Sequence, residues 1–279
     1  MATARAFRLS FEFFPPKTDK GQSALLETAA ALALHRPVFY SVTYGAGGST
    51  RDRTFEAVAG LAAAGHEVAP HLSMGSDDSS AVTALVDRYL GLGVRRMVAL
   101  RGDIPSGFGR ASHVSYAVNL VTLLRQHAGA GFEIEVAAYP EVHPDAPSPD
   151  QDIEFFRRKV AAGANGAITQ YFYNPDAYFD FVARAKVPVP IVPGIMPITS
   201  YTNLVRFSDG CGAEIPRWIR SRLAAYQNDE ASLKAFGVDV VAALCQRLID
   251  GGAPGLHFYT LNQAAPTQAV LDRIALPSD

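Results

Sequence analysis

A single carboxylate stands inside the run SFEFFPPKT (Ser10–Thr18), where Glu12 is surrounded by three phenylalanines and followed by two prolines. An ionised carboxylate taken out of water costs on the order of several kcal/mol unless a partner or a reaction uses it. Side chains two apart share a face of a strand, so Ser10, Glu12 and Phe14 point one way and Leu9, Phe11 and Phe13 the other. The second set suits packing under helices, which turns Glu12 toward an interior. Desolvation there is expected to raise its pKa and keep it able to donate a proton near neutral pH. The bland reading of the same residue is a buried carboxylate paired with an arginine.

Further polar residues close other apolar runs: Thr43 and Tyr44, His71 and Ser73, Arg101 and Asp103, Tyr139, Glu141 and His143, Gln170, and Tyr259, Thr260 and Asn262. Each has an ordinary explanation by itself. Asp103 suits a turn, His71 a hydrogen-bonded core position, and Gln170 a neighbouring backbone group. The loop GAGGST, which contains Ala46, suits a turn before a helix capped by Ser49 or Thr50. Its amides equally suit a phosphate. In QDIEFFRRKVAAGA, Ile153, Phe156, Val160 and Ala164 have the spacing of a core face. Asp152, Phe155 and Lys159 share the neighbouring face, with Arg158 close by. The run Arg157-Arg158-Lys159 reads either as a solvated face or as an anion site. Cations beside aromatic rings would suit a flat, phosphorylated cofactor.

The elements that must position these residues alternate. Strand-like runs (FRLSFEFF, VFYSVTY, EVAPHLS, VRRMVAL, FEIEVAAY, GAITQYF, VPIVPGI, GLHFYTL) are separated by helical patterns, including a double helical stretch near 201–225. Eight such units in 279 residues predict an α/β protein, a single (β/α)8 TIM barrel domain over residues 1–279. In that fold the chemistry sits at the C-terminal ends of the strands, where the polar residues above fall. A doubly wound sheet is the other arrangement considered, but the chain has neither a G-x-G-x-x-G fingerprint nor a P-loop. The loop PEVHPDAPSP follows a strand and reads as part of the active face.

With 48% hydrophobic and 19% charged residues, the chain can bury a sizeable core, and a net charge of −2 gives no global pull toward nucleic acid. Cys211 and Cys245 are too far apart for a metal-ligand spacing and read as reduced thiols. With no signal-peptide pattern and no apolar run near ~20 residues, a cytoplasmic protein is expected, with no nucleic-acid or membrane partner.

Taken together and in order, SFEFFPPKT, SVTYGAGGSTRDRT, APHL, LRGD, AAYPEVHP, KVAAGANGAITQYFY, PGIMPIT and LHFYTLNQ resemble the methylenetetrahydrofolate reductase family, from about Arg8 to Gln263. The likeness is to the bacterial single-domain form. It implies an FAD-dependent oxidoreductase of one-carbon metabolism and methionine biosynthesis. Such an enzyme reduces 5,10-methylenetetrahydrofolate to 5-methyltetrahydrofolate with NADH or NADPH, by ping-pong kinetics and as a homo-oligomer, with NADH the preferred reductant. By the same resemblance Glu12 matches the catalytic acid, and Asp103 an aspartate close to both flavin and folate. Gln170, Asn203 and Phe207 match folate or nicotinamide contacts. The flavin would be held by Thr43, Tyr44, Ala46, His71, Arg101, Gly102, Asp103, Tyr116, Ala117, Tyr139, His143, Asp152, Arg158 and Lys159. The chain departs from the pattern twice. Phe155 replaces an asparagine that touches FAD in some relatives, and Gln263, a substrate-contact position, replaces an arginine found in many. A neutral amide at 263 cannot form a charge-assisted pair. Two other functions are weighed: a flavin-lacking folate-binding or partner subunit, and a flavin-barrel amine dehydrogenase.

Overall fold

The computed structural model describes residues 7–45, 50–74, 78–101 and 117–277. Nine parallel strands are present among them: β1 (Arg8–Phe13), β2 (Phe39–Val42), β3 (Val68–Ser73), β4 (Arg96–Leu100), β5 (Glu133–Ala138), β6 (Gly166–Thr169), β7 (Ile191–Val192), β8 (Gly194–Ile195) and β9 (Gly255–Tyr259). They are ordered β7-β6-β5-β4-β3-β2-β1-β9-β8. The two ends of that order meet at Pro193. VPIVPGI was expected as one strand, but proline lacks the amide hydrogen a ladder needs. The stave therefore divides: β7 pairs with β6, β8 pairs with β9, and the Pro193 carbonyl accepts the His257 N–H at 3.0 Å. The result is a nearly closed barrel of eight staves, the seventh broken. Closure also needs Gly194, where a Cβ would lie 2.1 Å from the Thr169 carbonyl oxygen and 2.7 Å from the Tyr259 ring.

Helices connect and surround the strands: α1 (Asp19–Leu32), α2 (Arg51–Ala63), α3 (Ser79–Gly91), α4 (Ala117–Ala128), α5 (Pro149–Ala161), α6 (Pro175–Ala185), α7 (Tyr201–Cys211), α8 (Arg217–Ala225), α9 (Glu230–Asp250) and α10 (Ala264–Leu271). The last of these has no counterpart among the helical patterns legible in the sequence. Thr50 is the N-cap residue of α2, and its hydroxyl accepts the Gly45 N–H at 2.7 Å. No helix of the described residues is long and apolar enough to cross a membrane.

The alternation in β1 sorts its side chains as expected. Leu9, Phe11 and Phe13 are buried in the main core beneath the helices. Arg8, Ser10 and Glu12 face the barrel interior, which fills in layers. At its base the Glu135 carboxylate accepts hydrogen bonds from Arg96 at 2.5 Å and Arg8 at 3.4 Å. Above it Phe39, Ala69, Val98 and Ile168 form a separate apolar cluster. Over that plug lies the layer containing Glu12, so the mouth of the barrel is polar while its middle is dry.

Candidate active site

Glu12 lies one residue before the end of β1, opposite Ser41 on one side and Tyr259 on the other. Its Oε2 gathers three polar neighbours from three other strands. The Ser41 hydroxyl donates to it at 3.3 Å, His257 Nε2 lies at 3.3 Å, and His71 Nε2 at 3.2 Å. His71 is outside hydrogen-bond alignment and acts on the carboxylate chiefly as a charge. His257 is fully buried and its Nδ1 lies 2.8 Å from the Ser10 hydroxyl. His257 thus bridges Glu12 through Nε2 and the Ser10 hydroxyl through Nδ1.

These imidazoles overturn one expectation. Burial does oppose ionisation of Glu12 most strongly, but the charges and hydrogen bonds of His71 and His257 together outweigh it and hold the carboxyl at about 2. Desolvation alone would have raised it. Among the described residues no arginine pairs with Glu12, as the bland reading would have it: imidazoles, which can exchange a proton, stand where a fixed cation would.

The end of β9 secures the backbone around this residue. Thr260 donates through both its amide (3.2 Å) and its hydroxyl (2.6 Å) to the Glu12 carbonyl. The Asn262 side chain then accepts the Phe14 N–H at 2.9 Å and donates to the Phe14 carbonyl at 2.8 Å. It does so from a left-handed backbone, φ 57°, a conformation asparagine tolerates better than most residues. The FEFF and TLNQ segments are thus two halves of one clamp. Ser10, Ser41 and His257 were not among the candidates from sequence. The alternation that turned Glu12 inward also turns Ser10 inward, and that was the one available signal.

A second corner forms across the mouth at β4, β5 and α5. Lys159 donates to the Ala137 carbonyl, and burial, with Arg101 nearby, lowers its pKa to about 8 despite the opposing effect of Asp152. Arg101 pairs with Asp145 at 2.6 Å. Asp152 accepts the His143 N–H at 2.9 Å, and His143 Nδ1 accepts the Asp145 N–H at 3.0 Å. Tyr139 meets His143 edge to face at 4.5 Å. Burial, with Arg101 second, lowers the His143 pKa. Val142, between these residues, holds φ 71°, a strained value for a β-branched side chain.

The run Arg157-Arg158-Lys159 is split among three surroundings. Arg157 donates to the Ala185 and Arg184 carbonyls at the end of α6, and Arg158 pairs with Glu154 at 3.1 Å on the exposed side of α5. Only Lys159 joins the corner described above. Phe155 is 36% exposed, with the Arg158 guanidinium 5.8 Å from its ring centre. The other flavin candidates on the described chain are Thr43, whose N–H donates to the Phe13 carbonyl, Tyr44, whose hydroxyl accepts from Arg51, and the buried Ala117.

Gln170 follows β6, its N–H donating to the Ala138 carbonyl at 2.8 Å. It lines a shallow cleft with Tyr139, Glu141, Tyr171 and Cys211. Asn203 and Phe207 lie one helical turn apart on α7, and Arg206 stands over the Phe207 ring at 5.1 Å. Gln263 is the exposed N-cap residue of α10. Ala46, Gly102, Asp103 and Tyr116 lie outside the described residues.

A family model described as methylenetetrahydrofolate reductase matches residues 1–275. This chain belongs to the methylenetetrahydrofolate reductase family. It is 39% identical over 266 residues to 5,10-methylenetetrahydrofolate reductase of Escherichia coli K12, covering 94% of this chain and 88% of that relative. It is 33% identical over 284 residues to methylenetetrahydrofolate reductase (NADH) 1 of Arabidopsis thaliana, covering 96% of this chain and 48% of the relative. Among solved structures it is similar to an uncharacterised protein from Clostridium thermocellum that binds two copies of 5-methyl-5,6,7,8-tetrahydrofolic acid. That likeness has a TM-score of 0.70 at 17% identity, over 97% of this chain and 94% of the other, and it speaks for the fold.

Proposed function

We propose that this chain, as one catalytic barrel domain over residues 1–279, reduces 5,10-methylenetetrahydrofolate to 5-methyltetrahydrofolate, with FAD as cofactor and NADH or NADPH as reductant. The observation that carries the reading is Glu12 at the barrel mouth, held by His71 and His257 in a chain of this family.

The second corner fits a flavin dinucleotide on its donor set. Burial and the nearby Arg101 make the charge on Lys159 costly, and a diphosphate would relieve that cost. Thr43, Tyr44, His71, Arg101, Tyr139, His143, Asp152 and Lys159 would hold the cofactor, with Arg158, paired with Glu154 on the exposed side of α5, at its edge. When bound, FAD supplies the two-electron carrier between nicotinamide and folate.

Opening the methylene bridge of the folate requires a proton on the departing nitrogen. All three side-chain contacts to the Glu12 carboxyl are made to Oε2, and Oε1 has no hydrogen bond among the described residues. Oε1 is therefore the atom to present to substrate. Glu12 would deliver that proton, and His71 and His257, which touch its carboxyl, would orient it. Gln170, Asn203 and Phe207 position folate and nicotinamide in turn at one face, which supports ping-pong kinetics.

The test is spectroscopic. The purified protein should be yellow, bleach with NADH or NADPH in the absence of oxygen, and be reoxidised by methylenetetrahydrofolate. A colourless preparation that stays inactive with added FAD would refute the proposal.

A further inference from the structure

Glu141 stands among the polar residues that follow β5, and no step of the proposed reaction uses it. Its carboxylate accepts the Glu214 N–H at 2.8 Å, across 73 residues of sequence. Glu214 lies in the short connection between α7 and α8. Burial raises the Glu141 pKa; the Glu214 N–H opposes that rise and the Glu214 carboxylate adds to it. A neutral amide of the same shape would accept the same N–H without the cost of a half-buried charge. The position therefore asks for an acceptor oxygen at one place more than for a charge.

The surroundings show what that oxygen holds. Gly212, the left-handed C-cap of α7 at φ 77°, lies so close to Pro144 that a Cβ on it would be 2.7 Å from the proline ring. Ser208 meets the Tyr171 hydroxyl at 2.9 Å, and both residues are buried. Pro144 shares the loop after β5 with Glu141, and Tyr171 follows Gln170. The C-terminal end of α7 is thus fastened to two loops of the mouth. Phe207 directly precedes Ser208, and Asn203 lies one turn earlier on the same helix. On its other side Glu141 adjoins Val142, whose strained φ of 71° needs neighbours that fix it. The Glu141–Glu214 bond does so before it, and the His143 N–H bonded to Asp152 does so after it.

We infer that Glu141 is a positioning residue for the substrate site: by holding the Glu214 N–H it fixes the end of α7, and with it Asn203 and Phe207, against the corner that contains Tyr139 and His143. The roles of Asn203 and Phe207 rest on the folate and nicotinamide reading above. The fastening of α7 by Glu141 does not.

One arm of the experiment therefore needs no substrate. Cys211, the last residue of α7, is half-buried and lines the cleft with Glu141, whereas Cys245 is fully buried. The full chain loaded with FAD is treated with a thiol-alkylating reagent, and labelling at each cysteine is followed by mass spectrometry. Glu141→Ala should speed Cys211 labelling about tenfold, as expected when one hydrogen bond to a charged acceptor is lost. Glu141→Gln should stay within about twofold of the native rate, since its amide oxygen still accepts the Glu214 N–H. Both substitutions remove the charge, so the difference between them reports the hydrogen bond. Glu214→Ala should not speed labelling, because the donor is its backbone. In the second arm Glu141→Ala should raise KM for both the nicotinamide and methylenetetrahydrofolate about tenfold, with kcat within about threefold, and Glu141→Gln should restore both.

Native-like Cys211 labelling in the alanine variant, equal labelling of the alanine and glutamine variants, or Cys245 labelled in step with Cys211 overturns the fastening. Faster labelling with both KM values unchanged overturns the positioning role. A native chain that reduces no methylenetetrahydrofolate refutes the reductase reading and the positioning role with it, a result separate from any outcome of the labelling arm.

Discussion

Among the described residues, the carboxylates of Glu12 and Glu135 face the interior of this barrel, and their partners give them opposite characters. Glu135 at the base is held by Arg8 and Arg96, cations that do not release a proton at any ordinary pH. Glu12 at the mouth is held by His71 and His257, side chains of the type that can take up or give a proton, unlike arginine. The apolar layer of Phe39, Ala69, Val98 and Ile168 separates them. The bland reading of Glu12, a buried carboxylate paired with arginine, describes Glu135 instead. Burial alone therefore does not mark a chemical carboxylate. The ability of its neighbours to exchange a proton does.

The contrast can be broken at either end. The largest effect is expected from Glu12→Gln, which should cost roughly 10²–10⁴-fold in folate reduction while flavin reduction by the nicotinamide persists. Equal loss in both half-reactions, measured by rapid mixing, would make Glu12 structural. Glu135→Gln should do the reverse, destabilising the fold by about 3–5 kcal/mol because two partly buried arginines lose their counter-charge. Denaturant unfolding checks this, with turnover per folded molecule near normal. Next, Lys159→Met should weaken FAD binding roughly 10–100-fold, as expected for a lost charge-assisted hydrogen bond. The native protein should also bind FAD less well above about pH 8, where free Lys159 deprotonates. A flat titration of affinity between pH 7 and 9 would remove Lys159 from the cofactor site.

Smaller effects probe the clamp and the acid limb. Asn262→Gly keeps the left-handed backbone but removes both bonds to Phe14. It should lower folate turnover about tenfold through misplacement of Glu12, with Asn262→Asp partly restoring it by retaining the acceptor. Unchanged turnover in the glycine variant would show that Thr260 suffices. Finally, the Glu12 carboxyl falls from its ordinary 4.5 to about 2 on folding. It stabilises the native state above about pH 4.5, and that contribution is lost as pH falls toward 2. Acid unfolding of Glu12→Gln should accordingly show a shallower pH dependence over that window.

Much of this was legible from local pattern. Alternation in RLSFEF predicts which β1 side chains turn inward, because strand periodicity is set by the pleat. Polar residues at strand ends mark the mouth, because a parallel barrel puts every such end on one side. The split of the seventh strand could have been anticipated at Pro193, since a residue without N–H cannot continue the ladder. The fate of Arg157, Arg158 and Lys159 could not, because adjacent helical positions point about 100° apart and what each meets depends on neighbouring elements.

The sequence by itself determined the barrel, the inward turn of Glu12 and the family to which its motifs point, all through short-range periodicity and residue order. Only the tertiary structure decided what Glu12 meets. Ser41, His71 and His257 come from three other strands, 29 to 245 residues away. Ionisation depends on distances across space that no local pattern encodes. The carboxyl expected to be raised by burial is therefore lowered by two imidazoles that closure of the barrel brings to it.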